Sequence, residues 1–348
     1  MLKNIKYLFL IIWQILILSV VFNIMLDASM WVYLLQQAKG QLSIIYHTEE
    51  LNNVFAKQKI TIQQKEKILL IQEVKKYAED NFGLTKTNNY SRFYDQKGKP
   101  ILWMLTACEP FSFEEKLWHF PFLGDVSYKG FFKYELVLNE AIPLKIQHYD
   151  VDIGKVSAWS TLGILSDPIL SSMLNDDEGE LCELIIHELT HSTVYLSNNV
   201  DFNENFASFI GQQGAIKFIT QKYGTHSKQL ADYLNDCKEE GLLKSFLLQK
   251  KEELSLFYRQ FEKLNAKEKI NLKAKKMDEI INQLYALELY NWKTKIRIAY
   301  KIRTSGNAYF MVFNRYDAQY EKLLASYKKC NSNLKLFIKT VKQKKTFL

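Results

Sequence analysis

The sequence is poor in glycine and poorer in proline, with 13 Gly and 5 Pro in 348 residues. That excludes collagen-like and low-complexity classes, and it leaves few places where long helices must break. Cysteine is equally sparse. Cys108, Cys182, Cys237 and Cys330 lie far apart with no C-x-x-C pair, so neither a dense disulfide framework nor a thiolate zinc motif is present. Free thiols and one or two disulfides both remain open. Arginine is scarce as well: Arg92, Arg259, Arg297, Arg303 and Arg315 are the only five among 46 basic residues. The net charge of +8 is therefore a scattered lysine excess, without the arginine and aromatic pattern of base or phosphate recognition, and no nucleic-acid partner is expected. Disorder as the main state is excluded by ordinary hydrophobic content (47%) and by 14% aromatics.

One long hydrophobic run is present. Lys3 and Lys6 precede Tyr7 to Leu26, which is interrupted only by Gln14, Ser19 and Asn23 and carries no charge. As a helix, twenty residues span roughly 30 Å, the thickness of the bilayer core. The residues that follow, Met25-Leu26-Asp27-Ala28, lack a small-x-small cleavage site. Residues 1–35 are thus expected to be an uncleaved signal-anchor helix. Its two lysines would keep the N-terminus cytoplasmic and place the rest on the extracytoplasmic, periplasmic side.

Residues 36–225 are expected to form the core and 226–348 a helical region packed on it. Helical spacing of Ile68, Leu69, Ile71, Val74, Tyr77 and Ala78 predicts a helix stopped by Gly83. Short aromatic and β-branched runs then predict strands at 101–105 and 145–149. Asn175 with Glu178 has capping-box spacing at the head of a helix running to about Leu196. A second helix is expected from about Asn203 to Tyr223, closed by Gly224. Beyond Ser227 the chain reads as Lys/Glu-rich helix. The fold class expected is α+β.

The chemistry concentrates in His187-Glu188-Leu189-Thr190-His191. Histidines at i and i+4 share one helical face, so both imidazoles can reach one ion. Glu188 is aimed at the open coordination position, where it can take a proton from zinc-bound water. The flanking Leu184, Ile185, Ile186 and Leu189 bury this helix, and buried histidines beside a glutamate are costly without a partner. A third ligand is expected from Glu204, in the first turn of the next helix, because a short connection packs the two helices antiparallel. His187, His191 and Glu204 would then hold Zn2+. Glu183 and Asp201 are candidates to support the histidines, although solvated helix charges are the commoner role. His47, His119, His148 and His226 lack ligand spacing.

Here the chain resembles the bacterial family of predicted zinc aminopeptidases, glutamate-zincins with H-E-x-x-H and N-E-x-x-A motifs. The resemblance rests on 158–163 (Ala-Trp-Ser-Thr-Leu-Gly), Asp167-Pro168, His187 to His191, Tyr195 and Phe202 to Ala207. It extends to Gly40-Gln41, to Tyr128-Lys129-Gly130-Phe131-Phe132, and to Asn307-Ala308 with Tyr316. Trp159 departs from the family's usual tyrosine, and a lipid-attachment cysteine is missing.

The resemblance implies a zincin-like metallopeptidase core acting on peptide or protein substrates. Val156 to Gly163 is then the candidate edge strand for pairing with substrate. Tyr195, at i+4 from His191, and Tyr316 are the oxyanion-donor candidates. The expected function is a zinc-dependent peptidase of aminopeptidase type. Its rivals are a zinc endopeptidase and a membrane-anchored structural or interaction protein with a structural zinc site.

Charge distribution agrees with that placement. Between Lys155 and Lys217 there is no Lys or Arg, whereas Asp167, Asp176, Asp177, Glu178, Glu180, Glu183, Glu188, Asp201 and Glu204 all fall there. A segment without cations suits a dication and a catalytic carboxylate.

Overall fold

The computed structural model describes residues 13–15, 18–19, 28–57, 60–120, 124–156, 166–196, 199–311 and 319–344. Among these, no helix is long and apolar enough to cross a membrane. Most of the expected anchor, residues 157–163 of the expected edge strand, and Tyr316 lie outside the described residues.

The fold is mixed α+β, mostly helical with small sheets. Helix α1 (Ala28–His47) is held to the sheet region by Gly40. A Cβ there would stand 2.1 Å from the Phe132 ring, so only glycine permits this approach. Beside it, Gln37 Nε2 donates to the Gly130 carbonyl at 2.9 Å. Two stretches of the family resemblance are therefore one contact.

Strand β1 (Glu49–Glu50) and α2 (Leu51–Ala56) lead to α3 (Ile62–Tyr77). A capping box between Thr61 and Gln64 starts α3, and Ile68, Ile71 and Val74 are buried along it. A wider helical turn over Ala78–Phe82 continues the helix to Gly83, whose φ of 71° ends it.

β2 (Arg92–Tyr94) lies between β1 and β8 (Ile169–Leu170) in one small sheet. The larger sheet has the order β6 (Tyr128–Phe131), β3 (Leu102–Cys108), β7 (Asp150–Val156), antiparallel throughout. Met104 stands opposite Gly130 on one side and Gly154 on the other. β4 (Trp118–Phe120) and β5 (Gly124–Val126) form a hairpin.

Helix α4 (Tyr134–Ile146) covers the larger sheet with Val137, Ala141 and Leu144. The strand expected at 145–149 is not formed. Lys145 and Ile146 close α4, His148 turns with φ of 68°, and the strand begins at Asp150. The i, i+4, i+7 burial of α4 extends the helix over this β-branched run.

The central pair is α5 (Glu178–His191) and α6 (Val200–Tyr223). Asn175 does not cap α5. It belongs to a preceding 3-10 turn, Ser171–Asn175, and Asp177 takes the cap position without a side-chain bond. Helix α6 starts three residues earlier than expected, because Asn199 caps it by accepting from the Phe202 amide at 3.1 Å.

The C-terminal helices divide between two cores. α7 (Lys228–Tyr258), α8 (Ala266–Ala286), α9 (Trp292–Ser305) and α10 (Asn307–Met311) enclose Leu247, Leu254, Ile280, Leu284, Ile302 and Phe310. α11 (Tyr320–Lys329) and α12 (Leu334–Lys344) return to the main core, where Phe337 meets Phe206 and Phe209.

Polar bonds join β7 to the C-terminal helices. Asp152 accepts from Lys301 Nζ at 2.8 Å and Ser305 Oγ at 2.6 Å. Asp150 accepts from Lys273 Nζ and from the Asn307 amide. Asn307 is wholly buried; its Oδ1 accepts from Tyr258 and its Nδ2 donates to the Ser112 carbonyl at 3.0 Å. Groups this deeply buried must be paired, and here the pairs tie strand to helix.

Candidate metal centre

Helix α5 turns Leu181, Ile185, Ile186 and Leu189 into the main core. This leaves His187 and His191 on the side facing α6. The approach of the two helices is set by Gly211, where a Cβ would stand 2.9 Å from the Glu183 carbonyl and 3.3 Å from His187 Cβ.

The connection between them is short and tied at its base. Asn203 Oδ1 accepts from the Leu196 amide at 2.8 Å, while its Nδ2 donates to the Leu196 carbonyl at 2.9 Å. The Asn of the N-E-x-x-A motif therefore closes the loop and sets the register that brings Glu204 to the histidines. Sequence reading passed over that role, although an asparagine one residue before a ligand was a signal.

The three expected ligands converge. Glu204 places Oε2 3.5 Å from His187 Nε2 and Oε1 3.5 Å from His191 Nε2, and the two imidazole nitrogens are 3.0 Å apart. Their ligand atoms all lie within 4.8 Å of one another. Donors around a tetrahedral zinc, at about 2.0–2.1 Å each, stand roughly 3.3 Å apart, so this set fits such an ion. Two imidazole nitrogens and a carboxylate facing one point favour a positive charge between them, whether a proton or a metal ion.

The two rings differ in how readily they take a proton. Burial alone would favour neutral His187, but the Glu204 carboxylate, with Glu188 and Glu183 behind it, outweighs burial and raises its pKa. Burial and then repulsion by His187 lower His191 to about 4. One positive charge is accommodated between the rings, and two are not.

Around the cluster, Ser208 Oγ stands 3.4 Å from His187 Nδ1, one turn along α6 from Glu204. Glu188 is buried, at 8% exposure. Its charge is felt by Tyr90, whose pKa burial raises well above the ordinary phenol value, with Glu188 and Asp167 adding to the rise.

Tyr90 is itself buried in a left-handed conformation, φ 61°. Its amide donates to the Asp167 carbonyl at 2.6 Å, its carbonyl accepts from Gln72, and Asn89 pairs reciprocally with Asp167. Such a conformation persists only where neighbours over-determine it. Asp167, quoted above only for the resemblance, thereby acquires a physical role.

Glu183 is not the solvated helix charge that was the commoner expectation. It accepts from Tyr233 Oη at 2.5 Å, and burial, opposed by that bond, raises its pKa to about 7. Asp201 is exposed in the first turn of α6, where its charge complements the helix end. Tyr195 is 46% exposed and lies beyond the end of α5, so helical i+4 spacing from His191 does not place it. Among the described residues, no other histidine joins the cluster.

No curated protein and no solved structure matches the chain. A family model described as "Putative aminopeptidase" matches residues 32–347. That span takes in the metal cluster, the Asn203 clasp and the Asn307 junction, and the chain belongs to this family.

Proposed function

We propose that the chain is a zinc-dependent peptidase of aminopeptidase type, with His187, His191 and Glu204 as ligands and Glu188 as the acid–base residue. The observation that carries this reading is the convergence of those three ligands across two helices. Family membership supports peptidase action at the coarse level. A zinc ion held there would supply a Lewis acid for the scissile carbonyl and for water.

In this reading the chain's own groups do the rest. Glu188, adjacent to His187 on α5, takes a proton from the attacking water and delivers it to the departing amine. Ser208 orients His187 through Nδ1, which directs Nε2 at the ion. Tyr195 or Tyr316 donates to the developing oxyanion. Val156 to Gly163, of which only Val156 at the end of β7 is among the described residues, is the segment proposed to pair with an extended substrate. Tyr7 to Leu26 anchors the body on the extracytoplasmic face of a membrane.

The test combines metal analysis with a peptide screen. The native chain should carry about one zinc and Glu204→Ala far less, as expected for loss of one of three protein ligands. Unchanged metal content in that variant would overturn the ligand assignment. Cleavage confined to peptides with a free amine identifies an aminopeptidase; cleavage of blocked peptides identifies an endopeptidase.

A further inference from the structure

Helix α9 has two apolar stripes, and the second core uses only one. Ile298, Ala299 and Ile302 turn inward and are buried. On the opposite side Trp292, Ile296 and Tyr300 recur every fourth residue, with exposures of 63%, 44% and 65%. Just before the helix, Tyr290 is 97% exposed. No Asp or Glu occurs from Leu289 to Ser305, whereas Lys293, Lys295, Arg297, Lys301 and Arg303 all do.

These cations differ in availability. Lys301 is engaged by Asp152, Arg303 by Asp278, and Lys295 by the carbonyls of Tyr285 and Leu287. Lys293 and Arg297 are exposed beside Trp292 and Ile296, and neither has an acidic partner among the described residues. Of the acids around this face, Asp278 is paired to Arg303, Glu239 accepts from the Tyr290 amide, and Glu288 lies two residues before Tyr290.

We propose that this outer face of α9 is a docking surface for an anionic phospholipid membrane. Tryptophan and tyrosine prefer the headgroup boundary, where one edge is apolar and the other wet, and isoleucine between them enters the acyl layer. Unpaired Lys293 and Arg297 supply the charge complementarity to an anionic leaflet. A nucleic acid fits less well, since the face leads with an apolar stripe and offers few arginines for phosphate. The same chain carries the twenty uncharged residues Tyr7 to Leu26, which would keep its body at a bilayer.

The test uses the full chain reconstituted in vesicles of brominated phosphatidylcholine, with or without phosphatidylglycerol. Trp292→Phe, set against the native chain, isolates the Trp292 share of the fluorescence. That share should be quenched in vesicles containing phosphatidylglycerol. Quenching should fall at least about twofold without the anionic lipid, at high salt, or in Lys293→Glu/Arg297→Glu. Circular dichroism of each variant should match the native chain, because every changed residue is exposed. An unquenched Trp292, or quenching indifferent to lipid charge, would overturn the proposal. So would a Trp292 response to a single-stranded oligonucleotide with none to vesicles.

Discussion

Two helix pairs in this chain use charge in opposite ways. α5 and the first two-thirds of α6 lie within a stretch that has no Lys or Arg from 156 to 216, and their facing sides carry His187, His191, Glu204 and Glu183. α8 and α9 carry ten basic residues, Lys267, Lys269, Lys273, Lys275, Lys276, Lys293, Lys295, Arg297, Lys301 and Arg303, against Glu268, Asp278 and Glu279. Both pairs bury an apolar stripe, so packing is not what separates them. The first pair turns its polar groups toward one another, whereas the second leaves most of its own to solvent and pairs Lys273 and Lys301 with Asp150 and Asp152. Facing carboxylates and imidazoles in a desolvated space are unfavourable until a cation joins them, whereas exposed lysines are solvated at little cost. The lesson is that a site can be recognised by what its surroundings omit.

The comparison is broken most decisively at Glu188. Glu188→Gln should lower peptide hydrolysis by about 10³-fold while zinc content stays unchanged, as expected for a general base. Steady-state kinetics with metal analysis checks both halves, and full retained activity would point to a structural zinc instead.

Next comes the helix contact. Gly211→Ala forces a Cβ against the Glu183 carbonyl and His187 Cβ, and should cost about 1–3 kcal/mol of stability. Denaturant unfolding measures it, and weaker zinc retention should accompany it.

Comparable in size, but confined to one pH window, is the effect of Glu183. Its folded pKa, about 7, is raised above the ordinary glutamate value of 4.5, chiefly by burial. A raised pKa means that stability is fully present below pH 4.5 and is lost as pH rises through about 7. The loss is on the order of 3 kcal/mol. Glu183→Gln should flatten that slope, as unfolding at pH 5 and pH 8 will show; an unaltered slope assigns the titration elsewhere.

The smallest effect is expected on the other helix pair. Lys293→Glu/Arg297→Glu should change stability by no more than about 0.5 kcal/mol and leave hydrolysis of a soluble peptide unaltered. A larger loss of activity would show that the two pairs are coupled.

The proximity of His187, His191 and Glu204 was legible because its information is local. His187 and His191 are one helical turn apart, and Glu204 follows after a short connection, so helix geometry alone brings them near. Helical spacing does not extend to Tyr195, since α5 ends at His191. Local composition misled at 145–149, where Lys145 and Ile146 sit in the last turn of a helix held by Val137, Ala141 and Leu144. Cap positions were displaced at both central helices, because the turn before α5 takes up Asn175 and Asn199 starts α6 early.

What no local pattern displayed were the contacts that hold the site in place. Asn203 ties the loop to Leu196, Asn89 and Tyr90 clasp Asp167, and Asn307 seals β7 against the C-terminal helices. The residues of the Asn89–Asp167 pair are 78 positions apart and those of the Asn307–Asp150 pair 157 apart. Such bonds leave no periodic trace in the sequence.

Residue order alone thus determined the α+β class, the placing of His187, His191 and Glu204 on two successive helices and the absence of cations around them, since each follows from composition or from one turn of helix. The tertiary structure determined how closely α5 and α6 approach, which carboxylates are buried, and which face of α9 is left outward. Those depend on which distant side chains fill the space between the elements, and packing settles that only once the chain is folded.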